Sequence, residues 1–241
     1  MTTNALRAAA ARGTLFGAWL TFADSYALEA LGPVGFDWVG IDAQHGNIGG
    51  ADLPALLRTC DLMGLPGLVR TAGHGTADIG RALDAGAAGV IVPMVESAEQ
   101  AAHIAAACRV PPRGVRSSGA SRESFRASAA GEDVLCLPMV ESAAGLAHAE
   151  AIAAVDGVDG IFVGPYDLSL SIGAPGGAAG PATLAAIDAA LSAARGLGKM
   201  TGLYSGNPRL AALAGVHLLA VDSDLAFLRA GAAAALAAAK D

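Results

Sequence analysis

The sequence predicts a (β/α)8 TIM barrel, an α/β fold of eight parallel strands ringed by helices. Three observations lead there. Eight short runs of apolar, often β-branched residues alternate from end to end with alanine-rich stretches of helix length. Each run is nearly continuous in apolar residues, as strands buried on both faces are, and a parallel sheet of such strands needs a covering helix after each one. The chain has 241 residues, 54% of them hydrophobic, enough for one well-buried unit of the size that α/β barrels reach. No linker-like stretch divides it, so residues 1–241 read as a single barrel domain.

Leu15–Leu20 is expected as the first strand. Arg7 and Arg12 precede it, but Gly17 within the run and the lack of a small-x-small cleavage site suit a strand better than a secretory signal. Strands are expected next at Trp38–Asp42, Gly67–Thr71, Gly89–Val95 and Val134–Glu141, alternating with helices at Asp24–Leu31, Leu53–Met63, Ile79–Ala85 and Ala98–Ala107. A helix at Gly145–Ala154 follows, then strands at Gly160–Gly164, Met200–Tyr204 and Leu218–Asp222 with helices at Thr183–Leu197 and Pro208–Leu213. The last alanine-rich helix is expected from Asp224 to Ala239. Two units echo each other: Val92-Pro-Met-Val-Glu-Ser97 returns as Leu137-Pro-Met-Val-Glu-Ser142. Each copy closes a strand and opens a helix, with its Ser as N-cap.

Composition excludes several functions. A formal net charge of −7 leaves no basic stripe for nucleic acid. Basic residues gather only at Arg109, Arg113, Arg116, Arg122 and Arg126, where a solvated loop or a subunit contact is favoured over a phosphate site. Cys60, Cys108 and Cys136 are odd in number and lack a C-x-x-C spacing, as expected of reduced, buried thiols in a cytoplasmic protein. Outside alanine-rich helix no apolar stretch reaches the ~18 residues of a membrane span, and Arg229 interrupts the last of these helices.

In this fold the carboxyl ends of the strands build the active site. The second strand ends in Asp42-Ala-Gln-His45-Gly-Asn47 and the third in Val69-Arg70-Thr71. The fifth ends in Met139-Val-Glu141, the sixth leads into Gly164-Pro-Tyr166-Asp167, and the eighth ends in Val221-Asp-Ser-Asp224. These ends offer a His with a nearby Asp, an Arg, and two carboxylates from adjacent strands. Two carboxylates can hold a hard divalent ion and leave positions for water and a bidentate 2-oxo acid. The ion and the Arg can then stabilise the enolate formed when a C–C bond beside the ketone breaks. His45, oriented by Asp42, or a metal-bound water would move the protons. The Gly164–Asp167 turn, through Tyr166 and Asp167, would aim backbone N–H groups at the substrate carboxylate. Glu96, supplied by the echo, rivals Glu141 as a ligand, with a structural role favoured. Lys199, just before the seventh strand, and Lys240 are the only lysines, so no strand carries a Schiff-base amine.

Five stretches carry a family resemblance: Asp37-Trp-Val-Gly-Ile-Asp-Ala-Gln-His45-Gly, Val69-Arg70, Leu83-Asp-Ala-Gly-Ala-Ala-Gly-Val-Ile-Val-Pro-Met-Val, Met139-Val-Glu141, and Val158-Asp-Gly-Ile-Phe-Val-Gly-Pro-Tyr-Asp167-Leu-Ser. On these, from about Gly13 to Ala230, the chain resembles the class II, metal-dependent pyruvate aldolases related to 4-hydroxy-2-oxoheptanedioate aldolase and 2-dehydro-3-deoxyglucarate aldolase. The resemblance implies Mg²⁺, Mn²⁺ or Co²⁺ held by Glu141 and Asp167. It implies His45 as the acid/base residue with Asp42 behind it, and Arg70 on the oxo or carboxylate oxygens. The implied reaction is reversible cleavage of a 4-hydroxy-2-oxo acid to pyruvate, or a close 2-oxo acid, and an aldehyde. The implied assembly is a homo-oligomer, a hexamer built as a trimer of dimers, in which a C-terminal helix such as Asp224–Ala239 is exchanged. An oxaloacetate decarboxylase or an acyl-thioester lyase on the same barrel is the alternative, and a catalytically silent assembly subunit a third reading. Gln44 stands where many members have Glu, and Met139 where many have Gln; neither is a ligand, so substrate preference is where a difference is expected. Asp84 is open between a neighbouring subunit's site and a helix end, and Arg116 between the site's border and an interface.

Overall fold

The computed structural model describes residues 3–122 and 134–240, so Arg126 lies outside the described residues. Eight parallel strands close into a barrel in chain order: β1 (Leu15–Leu20), β2 (Trp38–Asp42), β3 (Gly67–Arg70), β4 (Gly89–Val92), β5 (Leu135–Val140), β6 (Gly160–Val163), β7 (Met200–Tyr204) and β8 (Leu218–Ser223), with β8 pairing back onto β1. The helices are α1 (Thr3–Ala10), α2 (Ser25–Leu31), α3 (Leu53–Leu62), α4 (Thr76–Asp84), α5 (Ala98–Ala107), α6 (Ala143–Ala147), α7 (Ala149–Ala153), α8 (Pro165–Ser171), α9 (Pro181–Gly196), α10 (Pro208–Ala211) and α11 (Asp224–Ala238). This is the (β/α)8 barrel that the alternating pattern predicts.

The strands are apolar on both faces because each face buries a different core. Outward residues such as Val39, Ile41, Val69 and Val90 pack under Leu56, Leu57, Ile79, Leu83 and Ile187 of the helices. Inward residues, among them Trp19, Trp38, Leu68, Leu137 and Phe162, fill the barrel. Large rings meet glycines across the strand pairs: Trp38 opposite Gly17, Trp19 opposite Gly40, and Phe162 opposite Gly202. A Cβ on any of these glycines would overlap the facing ring, so large-against-small alternation closes the interior.

Sequence reading leaves Thr3–Ala10 unassigned, and the structure makes it α1, which inserts Leu6 and Ala10 into the barrel core. Its apolar face is too short to stand out as a periodic pattern. Arg7 anchors it to Asp159 at 2.9 Å. Two further elements differ from expectation. β4 stops at Val92, because Pro93 has no N–H for the ladder and Met94 turns the chain with a φ of 54°. Gly145–Ala154 divides into α6 and α7 at His148. The three cysteines are buried free thiols. Among the described residues no helix is long and apolar enough to cross a membrane.

Candidate active site

Pairing of β2 with β3 sets Asp42 opposite Arg70 at one end of the barrel. The two form a forked ion pair, with Arg70 Nε donating to Asp42 Oδ1 at 2.9 Å and Nη2 to Oδ2 at 2.6 Å. Trp19 Nε1 donates to Oδ2 at 3.3 Å, and the Trp19 ring centroid lies 5.3 Å from the guanidinium carbon of Arg70. Asp42 Oδ1 also accepts the N–H groups of Gln44 and His45, each at 3.1 Å. Burial by itself raises the Asp42 carboxyl, but the Arg70 bonds and charge, the His45 N–H and Trp19 outweigh it and hold the group below its ordinary value. The expected support of His45 by Asp42 therefore runs through the main chain. The imidazole makes no hydrogen bond to another described residue, and His45 is exposed.

Glu141 is the first residue past β5, and Asp167 lies in the first turn of α8. The echo accounts for the setting of Glu141. Its two copies lie side by side, with Val92 opposite Pro138. Turned outward in the first copy, Met94 donates its N–H to Glu141 Oε1 at 2.7 Å, and Val95 donates to the Met139 carbonyl at 3.0 Å. Glu141 Oε2 is buried with no partner among the described residues. Burial lifts the Glu141 carboxyl to about 7; the Met94 N–H and Arg70 oppose the rise, while Asp167 and Asp42 add to it. Gly164 makes room for Oε2, since a Cβ there would strike it. Glu96, the other carboxylate of the echo, accepts from Ser142 Oγ at 2.7 Å and braces the starts of two helices.

All six residues named from the sequence, Asp42, His45, Arg70, Glu141, Tyr166 and Asp167, line one cavity of about 240 Å³ at the carboxyl ends of the strands. A water molecule occupies ~30 Å³ of liquid, so the space suits a small metabolite rather than a large ligand. Met139 also lines it, whereas Gln44 stands outside the lining with its Oε1 buried and unpartnered among the described residues. Ser223, from the eighth strand end, lines the cavity too, as do Trp19, Thr21 and Tyr204, which sequence reading did not single out. The ends of β1 and β7 carry no charged group; the available signal was a tryptophan near a strand end. Tyr204 donates its hydroxyl to Asp222 Oδ1 at 3.1 Å, and burial together with the Asp222 charge pushes its phenol well up.

The remaining candidates lie elsewhere. Asp84 closes α4 and pairs with Arg116 at 2.7 Å, Arg109 reaches Asp159, and Arg122 reaches Asp61, so these arginines meet the barrel's own carboxylates. Lys199 donates to the Val158 carbonyl at 2.6 Å, before β7 and at the opposite end from the cavity. Among the described residues no cluster of three or more His, Cys, Asp or Glu is placed to hold a metal; the carboxylates that line the cavity are Asp42, Glu141 and Asp167, and Asp42 is taken up by Arg70.

Comparison with known proteins gives one answer. A family model described as HpcH/HpaI aldolase/citrate lyase matches residues 15–215. A hydroxypyruvate/pyruvate aldolase of Chromohalobacter salexigens is 38% identical over 242 residues, covering 95% of this chain and 94% of that protein. A 4-hydroxy-2-oxovalerate aldolase of Rhodococcus jostii is 37% identical over 213 residues, covering 84% and 81%. The solved structure of an HpcH/HpaI aldolase/citrate lyase family protein from Burkholderia cenocepacia superposes with a TM-score of 0.88 at 32% identity, covering 99% of this chain and all of that one.

Proposed function

The chain belongs to the HpcH/HpaI aldolase/citrate lyase family, and from that premise we propose how its cavity works. It is an aldolase that reversibly cleaves 4-hydroxy-2-oxo acids to pyruvate, or a close 2-oxo acid, and an aldehyde. Glu141 and Asp167 fit a divalent metal. A buried oxygen without a partner is costly unless a ligand satisfies it, and Glu141 Oε2 is such an atom. The donors are carboxylate oxygens, which suit hard cations such as Mg²⁺, Mn²⁺ and Co²⁺. Bound there, the ion supplies Lewis-acid charge to the keto oxygen of the substrate.

The other roles fall to side chains. Asp42 remains ionised at neutral pH and fixes Arg70 through Nε and Nη2, leaving Nη1 to donate to the 2-oxo acid. In cleavage, His45 takes the proton of the 4-hydroxyl, the electrons of the C3–C4 bond pass into the enolate, and the aldehyde leaves. Protonation of C3 then gives the 2-oxo acid, and condensation is the reverse. The first turn of α8, at Tyr166 and Asp167, offers backbone N–H groups to the substrate carboxylate. The exposed apolar residues of α11 support a homo-oligomer, for which the family resemblance implies a hexamer formed as a trimer of dimers, and thiols without disulfide partners suit the cytoplasm.

The observation that carries this reading is Glu141 Oε2, buried and without a partner among the described residues, in the cavity shared with Arg70 and His45. Its test is exchange of the pyruvate methyl protons in D₂O, followed by NMR with chelator and then with Mn²⁺ or Mg²⁺. Exchange is expected only with metal, and not in Glu141→Gln or Asp167→Asn. Full exchange in either variant overturns the ligand assignment.

A further inference from the structure

Asp224 opens α11 and is 7% exposed, yet no described basic side chain pairs with it. The β1 loop fills its oxygens instead. Thr21 N–H donates to Oδ1 at 3.0 Å and Oδ2 at 2.9 Å, Thr21 Oγ1 donates to Oδ1 at 2.6 Å, and Phe22 N–H donates to Oδ2 at 3.0 Å. Leu225 N–H adds a fifth bond at 2.8 Å. The paired residues of β1 and β8 end at Trp19 opposite Ser223, so the Asp224 carboxylate continues the ladder where strand carbonyls have run out. Held this way, Thr21 offers its own carbonyl to Asn47 N–H at 2.8 Å, and Phe22 bridges Asn47. Between Asn47 and His45, Gly46 packs against Thr21, where a Cβ would lie 3.2 Å from both the Thr21 Cα and its carbonyl oxygen. The main chain around His45 is therefore clamped by Asp42 on one side and by Thr21 on the other, and Thr21 is clamped by Asp224.

We propose that Asp224 is a positioning residue for His45, acting through Thr21 from the root of α11. The proposal rests on His45 being the acid/base group of the cavity. Displacing a catalytic group by about an ångström from a remote position can cost ~100-fold in rate, and Asp224 is joined to His45 by a short, fully bonded path.

The test is a double-mutant cycle of Asp224→Ala with His45→Asn, assayed by cleavage of 4-hydroxy-2-oxovalerate, beside hydrogen exchange of the 42–47 segment. Asp224→Ala is expected to lower kcat about 10- to 100-fold and to speed amide exchange at residues 44–47. KM and Mn²⁺ affinity should hold within about two-fold, and in the His45→Asn background the further loss should stay below about two-fold. Asp224→Asn keeps one acceptor oxygen and serves if the alanine variant does not fold. An equal loss in both backgrounds, a parallel loss of Mn²⁺ affinity, or unchanged exchange at residues 44–47 overturns the proposal. Full activity of His45→Asn removes the acid/base reading itself, whereas an impaired His45→Asn beside a fully active Asp224→Ala removes the coupling alone.

Discussion

Asp42 and Glu141 are both buried carboxylates, and what fills their oxygens sends them in opposite directions. Asp42 has Arg70, Trp19 and two backbone donors; Glu141 has the Met94 N–H on one oxygen and, among the described residues, no partner on the other. Because the folded-state value of Glu141, about 7, lies above its ordinary 4.5, the metal-free protein holds this proton between those values while the unfolded chain does not. That contribution to stability is lost as pH rises across the same window. A cation competes with the same proton. Mn²⁺ affinity is expected to weaken about tenfold per pH unit below ~7, read by electron paramagnetic resonance titration, and Glu141→Gln should lose both the slope and most of the affinity. Asp42→Ala has a different signature. It leaves Arg70, 8% exposed, without its counter-charge, and breaking such a buried pair costs about 3–5 kcal/mol in denaturant unfolding. With Nη1 no longer aimed, KM for the 2-oxo acid should rise as well.

The β4 exit, the end of β5 and the start of α8 converge on Glu141 and contribute, in turn, a turned N–H, the side chain and space. Gly164 supplies the space. A methyl in Gly164→Ala would strike Glu141 Oε2 and lie 2.7 Å from Met139 Cε, so Mn²⁺ affinity should fall about 10- to 100-fold. Thermal unfolding should show a stability loss of about 1–3 kcal/mol from overpacking. Unchanged affinity would mean that Oε2 is not a ligand atom. Convergence of this kind is poorly legible in sequence. The bounds of β1, β2 and β7 could be read directly, since polar or glycine residues flank their apolar runs. Pro93-Met94-Val95 reads as more strand because it is apolar, and its outward turn makes sense only beside Glu141. By letters Glu96 and Glu141 are equivalent; Ser142 takes one, and the cavity takes the other.

At the level of the whole chain, α11 leaves the barrel after β8 with Asp224 alone buried, and it presents Leu225, Leu228 and Leu236 to solvent. An apolar helix face of this kind is a packing surface. Sedimentation velocity should find a species heavier than one chain, and Leu228→Glu combined with Leu236→Glu should shift it to smaller species; a monomeric wild type would exclude the assembly. Connectivity alone dictates much of the rest. Repeated βα units put every strand's carboxyl end on one side, so Asp42, His45, Arg70, Glu141, Tyr166 and Asp167 were bound to meet at one mouth once the periodicity was read. What each of them touches there was not readable. The pairing of Asp42 with Arg70 rather than with the imidazole follows from β2·β3 register. The entry of Trp19, Thr21, Tyr204 and Ser223 into the lining follows from how the barrel closes, as do the glycines facing the rings and the grip of Asp224 on Thr21. These contacts join segments as much as 203 residues apart, and local pattern carries no information about a partner that only closure of the barrel brings near.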